Sequence, residues 1–114
     1  MLFTILCTFR PGGQAEAKQR RLEHYEFLRE VKDSIVEGGP LLGPDGLPAA
    51  MLIVVDRDSP EAVHAFIAEE PYTKHGLFES VLIRRWSHVI PEPTPDFIET
   101  EYQKELSSHS AHHS

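Results

Sequence analysis

The sequence holds a single cysteine, Cys7, so no intrachain disulfide can staple the fold and packing has to hold it. One lone thiol suits a reducing cytoplasm. No apolar run approaches the roughly 18 residues that cross a bilayer, and a membrane-spanning segment is not expected. The apolar N-terminus, residues 1–13, is short and alternating, with no basic stretch before it and no small-residue cleavage site. A strand fits it better than a signal peptide. Positive charge is scarce, 11 Lys and Arg against 18 Asp and Glu, for a net charge of −7. Without a basic stripe such a surface repels nucleic-acid phosphate and anionic lipid, so neither is expected as a partner. A phosphate-cradling loop is missing too. Gly38-Gly39-Pro40 is too short and leads into an extended segment rather than a helix, and there is no GxSxG or CxxC motif.

What is present fits one domain of modest core, since 114 residues with 40% hydrophobic and 25% charged side chains lie near the globular norm. Leu2 to Phe9 alternates, with Phe3, Ile5, Cys7 and Phe9 on one face, which predicts a first strand closed by Pro11-Gly12-Gly13. Residues 14–36 lack Pro and Gly and are rich in helix formers. They predict one long helix that stops at Gly38-Gly39, with Arg21, His24, Leu28, Val31 and Ile35 on its inward stripe. An extended segment, the turn Pro44-Asp45-Gly46 and the apolar run Met51 to Val55 predict a hairpin. Ser59-Pro60-Glu61 opens a second helix, with Ser59 as cap and Pro60 in the first turn. Pro71 interrupts that helix at Glu70. Phe78 to Ile90 alternates as a last long strand.

The order β-α-β-β-α-β is that of an α+β, ferredoxin-like fold: a four-stranded antiparallel sheet with both helices on one face. A sheet whose second face is partly apolar needs a cover, and a second copy packed face to face would supply it as a dimeric α/β barrel. Residues 1–90 are expected to be this domain. Residues 91–114 read as a Pro-rich acidic arm with five acids and one base, a short helix over Phe97 to Leu106, and a polar, disordered end. The arm is expected to cross to the partner.

Several side chains carry candidate chemistry. His24, on the inward stripe, is either a proton shuttle beside a carboxylate or a core histidine satisfied by the backbone. Glu70 is expected at a helix C-terminus, where the dipole disfavours a carboxylate, so it calls for a local partner such as His24 or Arg21. Arg21 is either a bidentate anchor for an oxyanion or an ordinary surface arginine. Tyr72 is either a ligand contact or a core cap. His64, His75 and His88 follow no metal-ligand spacing, and the tail histidines His109, His112 and His113 make no expected structural site. No metal site is therefore expected. Cys7 is expected in core packing, and Trp86 as an anchor in the core or at a dimer face.

Arg21-x-x-His24, Glu37-Gly38-Gly39-Pro40-Leu41, Ser59-Pro60-Glu61-Ala62, Glu70-Pro71-Tyr72 and Gly76-Leu77-Phe78, closing on Arg85-Trp86, resemble the YciI-like (YCII-related) family in order and spacing across residues 1–90. The resemblance implies a ferredoxin-like dimeric barrel, a homodimer, and an active-site pair, here His24 and Glu70; Arg21, Pro40, Met51 and Tyr72 are expected around a small-molecule ligand. One characterised type of member removes chloride from a chlorinated hydroxyquinone. By that likeness the chain is expected to be a lyase or isomerase that needs no cofactor and acts on a small oxygenated cyclic compound. The competing readings are a non-catalytic small-molecule binder and a dimeric-barrel monooxygenase, with or without haem. Two positions depart from the family pattern. Glu70 replaces the usual Asp and is one methylene longer. Ala50-Met51 replaces Gly-Ser, which trades a hydroxyl for a bulkier apolar wall.

Overall fold

The computed structural model describes residues 1–112. Strand β1 (Leu2–Phe9) is followed by helices α1 (Gly13–Gln19) and α2 (Arg21–Val31), then a 3-10 turn over Lys32–Ser34. The chain continues through β2 (Ile35–Leu42), β3 (Pro48–Asp56), α3 (Pro60–Ala68), the short α4 (Pro71–Lys74), β4 (Phe78–Arg85) and α5 (Phe97–His112). The four strands form one antiparallel sheet in the order β2-β3-β1-β4. This is the ferredoxin-like arrangement.

Register explains which face carries the core. Cys7 pairs with Met51 and Ile5 with Ile53 across one ladder, and Ile5 pairs with Ile83 across the other. Side chains alternate along each strand, so Phe3, Ile5, Cys7, Met51, Ile53 and Val55 share the face that meets Ala17, Val63, Ile67, Tyr72 and Leu77 in one buried cluster. The opposite face carries Leu6 between Leu52 and Leu82. Leu41, opposite Ala50, lies on that face too, and Leu41 and Leu82 are exposed.

The single long helix expected from residues 14–36 is not what forms. Arg20, at φ −106° and ψ 15°, separates two helices, and α2 ends at Val31. Ile35 starts a strand, and Gly38 and Gly39 lie within β2 rather than ending a helix. Composition favours helix to about residue 34, but β-branched Ile35 and Val36 and a ladder against β3 override that local preference. Gly38 has a packing reason instead, because a Cβ there would sit 3.0 Å from the carbonyl oxygen of Leu52. A Cβ on Gly13 would strike the carbonyl oxygen of Leu77, so glycine is what lets α1 settle against the turn before β4.

The last strand is also shorter than its alternation suggests. β4 stops at Arg85, opposite Phe3, and the amide of Trp86 donates to the Leu2 carbonyl. Beyond Leu2 there is no more β1 to pair with. Trp86 is half-buried. The hairpin turn and the α3 cap form as expected: Gly46 takes φ 79°, and the Ser59 hydroxyl accepts from the Ala62 amide at 3.2 Å. In the arm the helix runs past Leu106 to His112, so residues 107–112 are helical rather than irregular, with no Gly or Pro there to stop it. The last two residues of the expected disordered end, His113 and Ser114, lie outside the described residues, as do the side chains beyond His109. Among the described residues no helix is long and apolar enough to cross a membrane.

Cys7 is fully buried, and burial, reinforced by the negative charge of Glu70, pushes its thiol up to about 12 from an ordinary 9.0. In alkali the folded chain therefore keeps a proton that the unfolded chain has lost. That stability is fully present below the unfolded value and is lost as pH rises towards the folded one. Between pH 9 and 10 the melting temperature is expected to fall, and Cys7→Val is expected to flatten that slope. Thermal melts across the interval check this, and parallel slopes would refute it. At pH 8 the native thiol should resist alkylation until the chain is unfolded.

Candidate functional site

Glu70 stands where α3 has ended and α4 has not begun, with extended backbone at φ −69° and ψ 130°. Pro71 sets this up by forcing the preceding residue out of helical geometry and then occupying the first helical position. The expectation of a carboxylate at a helix C-terminus is thus overturned. Glu70 is the N-cap of α4, and its Oε2 accepts from the Thr73 amide at 3.0 Å. The dipole there favours negative charge.

The other oxygen faces α2. Nδ1 of His24 lies 2.8 Å from Oε1 of Glu70. His24 is 6% exposed and Glu70 1%, so this contact is almost dry and is made without competition from water. A carboxylate only accepts, so Nδ1 donates, and Nε2 is left as the nitrogen available for other partners. Tyr72 stacks on the imidazole with centroids 4.3 Å apart and planes 9° off parallel. One carboxylate and one ring therefore fix the histidine in place. Burial, then the nearby charge of Glu70, raises the Tyr72 phenol above its ordinary value, while the Arg21 guanidinium pulls it back.

Beside this cluster lies a cavity of about 420 Å³. Arg21, His24, Pro40, Met51 and Tyr72 all reach its wall, and Glu70 stands behind His24. The six residues singled out in the sequence are brought to one place. Gln14, Lys18 and Tyr25 on the same helical stretch also line the cavity, together with Phe9 from β1 and Leu47 and Pro48 from the hairpin. Those residues were missed, although the spacing of Gln14, Lys18, Arg21 and Tyr25 at four, three and four is a readable helical face. The other candidates lie elsewhere: His75 contacts Glu23 at 3.0 Å on the surface, His64 is exposed on α3, and His88 packs edge-on against Trp86 beyond β4.

A family model of the YCII-related domain matches residues 1–87. The chain belongs to this family. Among solved structures, this YCII-related chain is similar to the 5-chloro-2-hydroxyhydroquinone dehydrochlorinase TftG from Burkholderia phenoliruptrix AC1100, in its complex with 2,5-dihydroxybenzoquinone. The two are 31% identical with a TM-score of 0.72, over 81% of this chain and 99% of that one. No curated protein matches the chain. The overlap takes in nearly all of the dehydrochlorinase, so the fold is common ground. The arm with α5 lies beyond the family match.

Proposed function

We propose that this YCII-related protein is a lyase or isomerase that moves a proton on a small oxygenated cyclic compound, using His24 and Glu70 and no cofactor. The dry 2.8 Å contact between them, at the wall of a cavity with an apolar lining, carries the reading. Glu70 holds the imidazole in the tautomer that leaves Nε2 basic. Nε2 takes a proton from the substrate, and the electron pair stays on the ring as an enolate that Arg21 steadies. A halide on the next carbon then leaves with its electron pair, or the proton returns at another carbon. The likeness to a dehydrochlorinase that binds a quinone supports the ring-shaped substrate class. Proton exchange between solvent deuterium and the ring carbons of 2,5-dihydroxybenzoquinone, followed by NMR, tests the scheme in wild type and His24→Gln. Equal exchange in both would remove His24 as proton carrier and leave a small-molecule binder.

We further infer that the working unit is a homodimer that covers the face bearing Leu6, Leu41, Leu52 and Leu82, with the arm reaching across to the partner. Exposed leucines on the sheet and the stripe Ile98, Tyr102 and Leu106 on α5 support this, since each lacks a cover within the chain. The 12.9 kDa chain is expected to sediment at about twice its mass, and truncation after Ile90 to weaken the dimer. An unchanged dissociation constant after truncation would show that the arm does not hold the partner.

A further inference from the structure

The wall of the cavity has a charge that its chain does not. The protein carries a net −7, yet the cavity is lined by Lys18 and Arg21 and, among the described residues, by no Asp or Glu. Among the described residues neither Lys18 nor Arg21 has a carboxylate within 4.0 Å, a state they share with most of the basic side chains. One turn before Lys18, the amide nitrogen of Gln14 is buried and has no hydrogen-bond partner among the described residues. A buried donor without a partner is destabilising; this nitrogen is closed to solvent as it stands, and a turn of the Gln14 side chain into the cavity it lines would bring it to an acceptor on a ligand. Gln14 and Lys18 are four apart in α1, so they sit side by side on one helical face. Arg21 follows on α2, between them in sequence and His24.

We infer that the substrate carries a fixed carboxylate on its ring, which Lys18 and Gln14 hold, while Arg21 remains for charge that develops on the ring oxygens. This rests on the cavity being the substrate site. A carboxylate suits the donors because its two oxygens offer about four acceptor positions and a full charge, where a quinone oxygen offers two lone pairs and none. The rest of the wall fits a flat ring: Phe9, Tyr25, Pro40, Pro48, Met51 and Tyr72 are aromatic or apolar. Lys18 is exposed and Gln14 half-buried, which places the charged end of the ligand towards solvent and its ring towards His24.

Equilibrium binding of 2,5-dihydroxybenzoate and of its carboxamide, at fixed salt, tests this on the full chain. The two probes share shape and hydroxyls and differ in charge. Wild type is expected to prefer the carboxylate about tenfold, as a charge-assisted contact in a partly desolvated site does. Lys18→Met should reduce that preference to within threefold, and Gln14→Leu should weaken the carboxylate more than the carboxamide. Equal affinities in wild type, a preference that survives Lys18→Met, or no binding of either probe would overturn the assignment. The same comparison in His24→Gln separates it from the proton-transfer scheme. A preserved preference in His24→Gln with the quinone exchange lost leaves the carboxylate site standing on binding alone, and equal affinities in wild type with quinone exchange intact leave the scheme standing without it.

Discussion

Glu70→Ala is expected to lose on the order of 3 kcal/mol of folding free energy and to melt more than about 10 °C below wild type. Three losses fall on one side chain. His24 keeps a buried Nδ1–H with nothing to receive it. The Thr73 amide loses the oxygen that caps α4, which is worth about 1 kcal/mol. A fully buried side chain leaves a void behind it. Glu70→Gln should fall between, because its oxygen can still receive His24 while its amide group confronts the Thr73 N–H. The double change of His24 and Glu70 to Leu should recover much of the loss, since apolar residues in place of a buried polar pair are close to neutral. Chemical denaturation of wild type, His24→Leu, Glu70→Leu and the double Leu variant gives the coupling directly. A Glu70→Ala protein within 1 kcal/mol of wild type would mean the contact contributes little to the fold.

His24→Gln is expected to lower ring-proton exchange by about 10²- to 10⁴-fold, the usual contribution of a positioned general base. The loss should appear in kcat with KM little changed, because Gln keeps most of the volume against Tyr72 and the cavity wall. Glu70→Gln should lower the rate less, as that side chain acts through the imidazole and touches no substrate. The order of the two effects is the informative part. A larger loss at Glu70 than at His24 would assign the proton to the carboxylate.

Much of this was readable in the residues, for definite reasons. Period-two patterning in β1, the Pro44-Asp45-Gly46 turn and the Ser59-Pro60 cap are local signals, and local signals survive folding. The early end of α2 was not readable, because what ends that helix is the pull of a strand partner some twenty residues away, and no Gly or Pro marks the break at Arg20. Glu70 was misplaced for a related reason. Pro71 marks a helix boundary, but the sequence does not say whether the residue before it closes one helix or opens the next. The cluster of candidate site residues was legible largely through the family pattern. The unpartnered nitrogen of Gln14 was not legible at all, since it is a fact about neighbours that only folding brings together.

The two sides of the cavity answer to different pressures. Met51 and Tyr72 belong to the buried cluster that holds the sheet to its helices, so a change in either alters the fold along with the ligand. Pro40 on the edge strand β2, Leu47 in the turn and Pro48 at the start of β3 belong to one hairpin and stand outside that cluster. Variation there can reshape what the protein accepts while leaving its stability almost untouched. A lineage built on this scaffold can thus change which small molecule fits its cavity through its hairpin, keeping the same imidazole and carboxylate contact behind the wall.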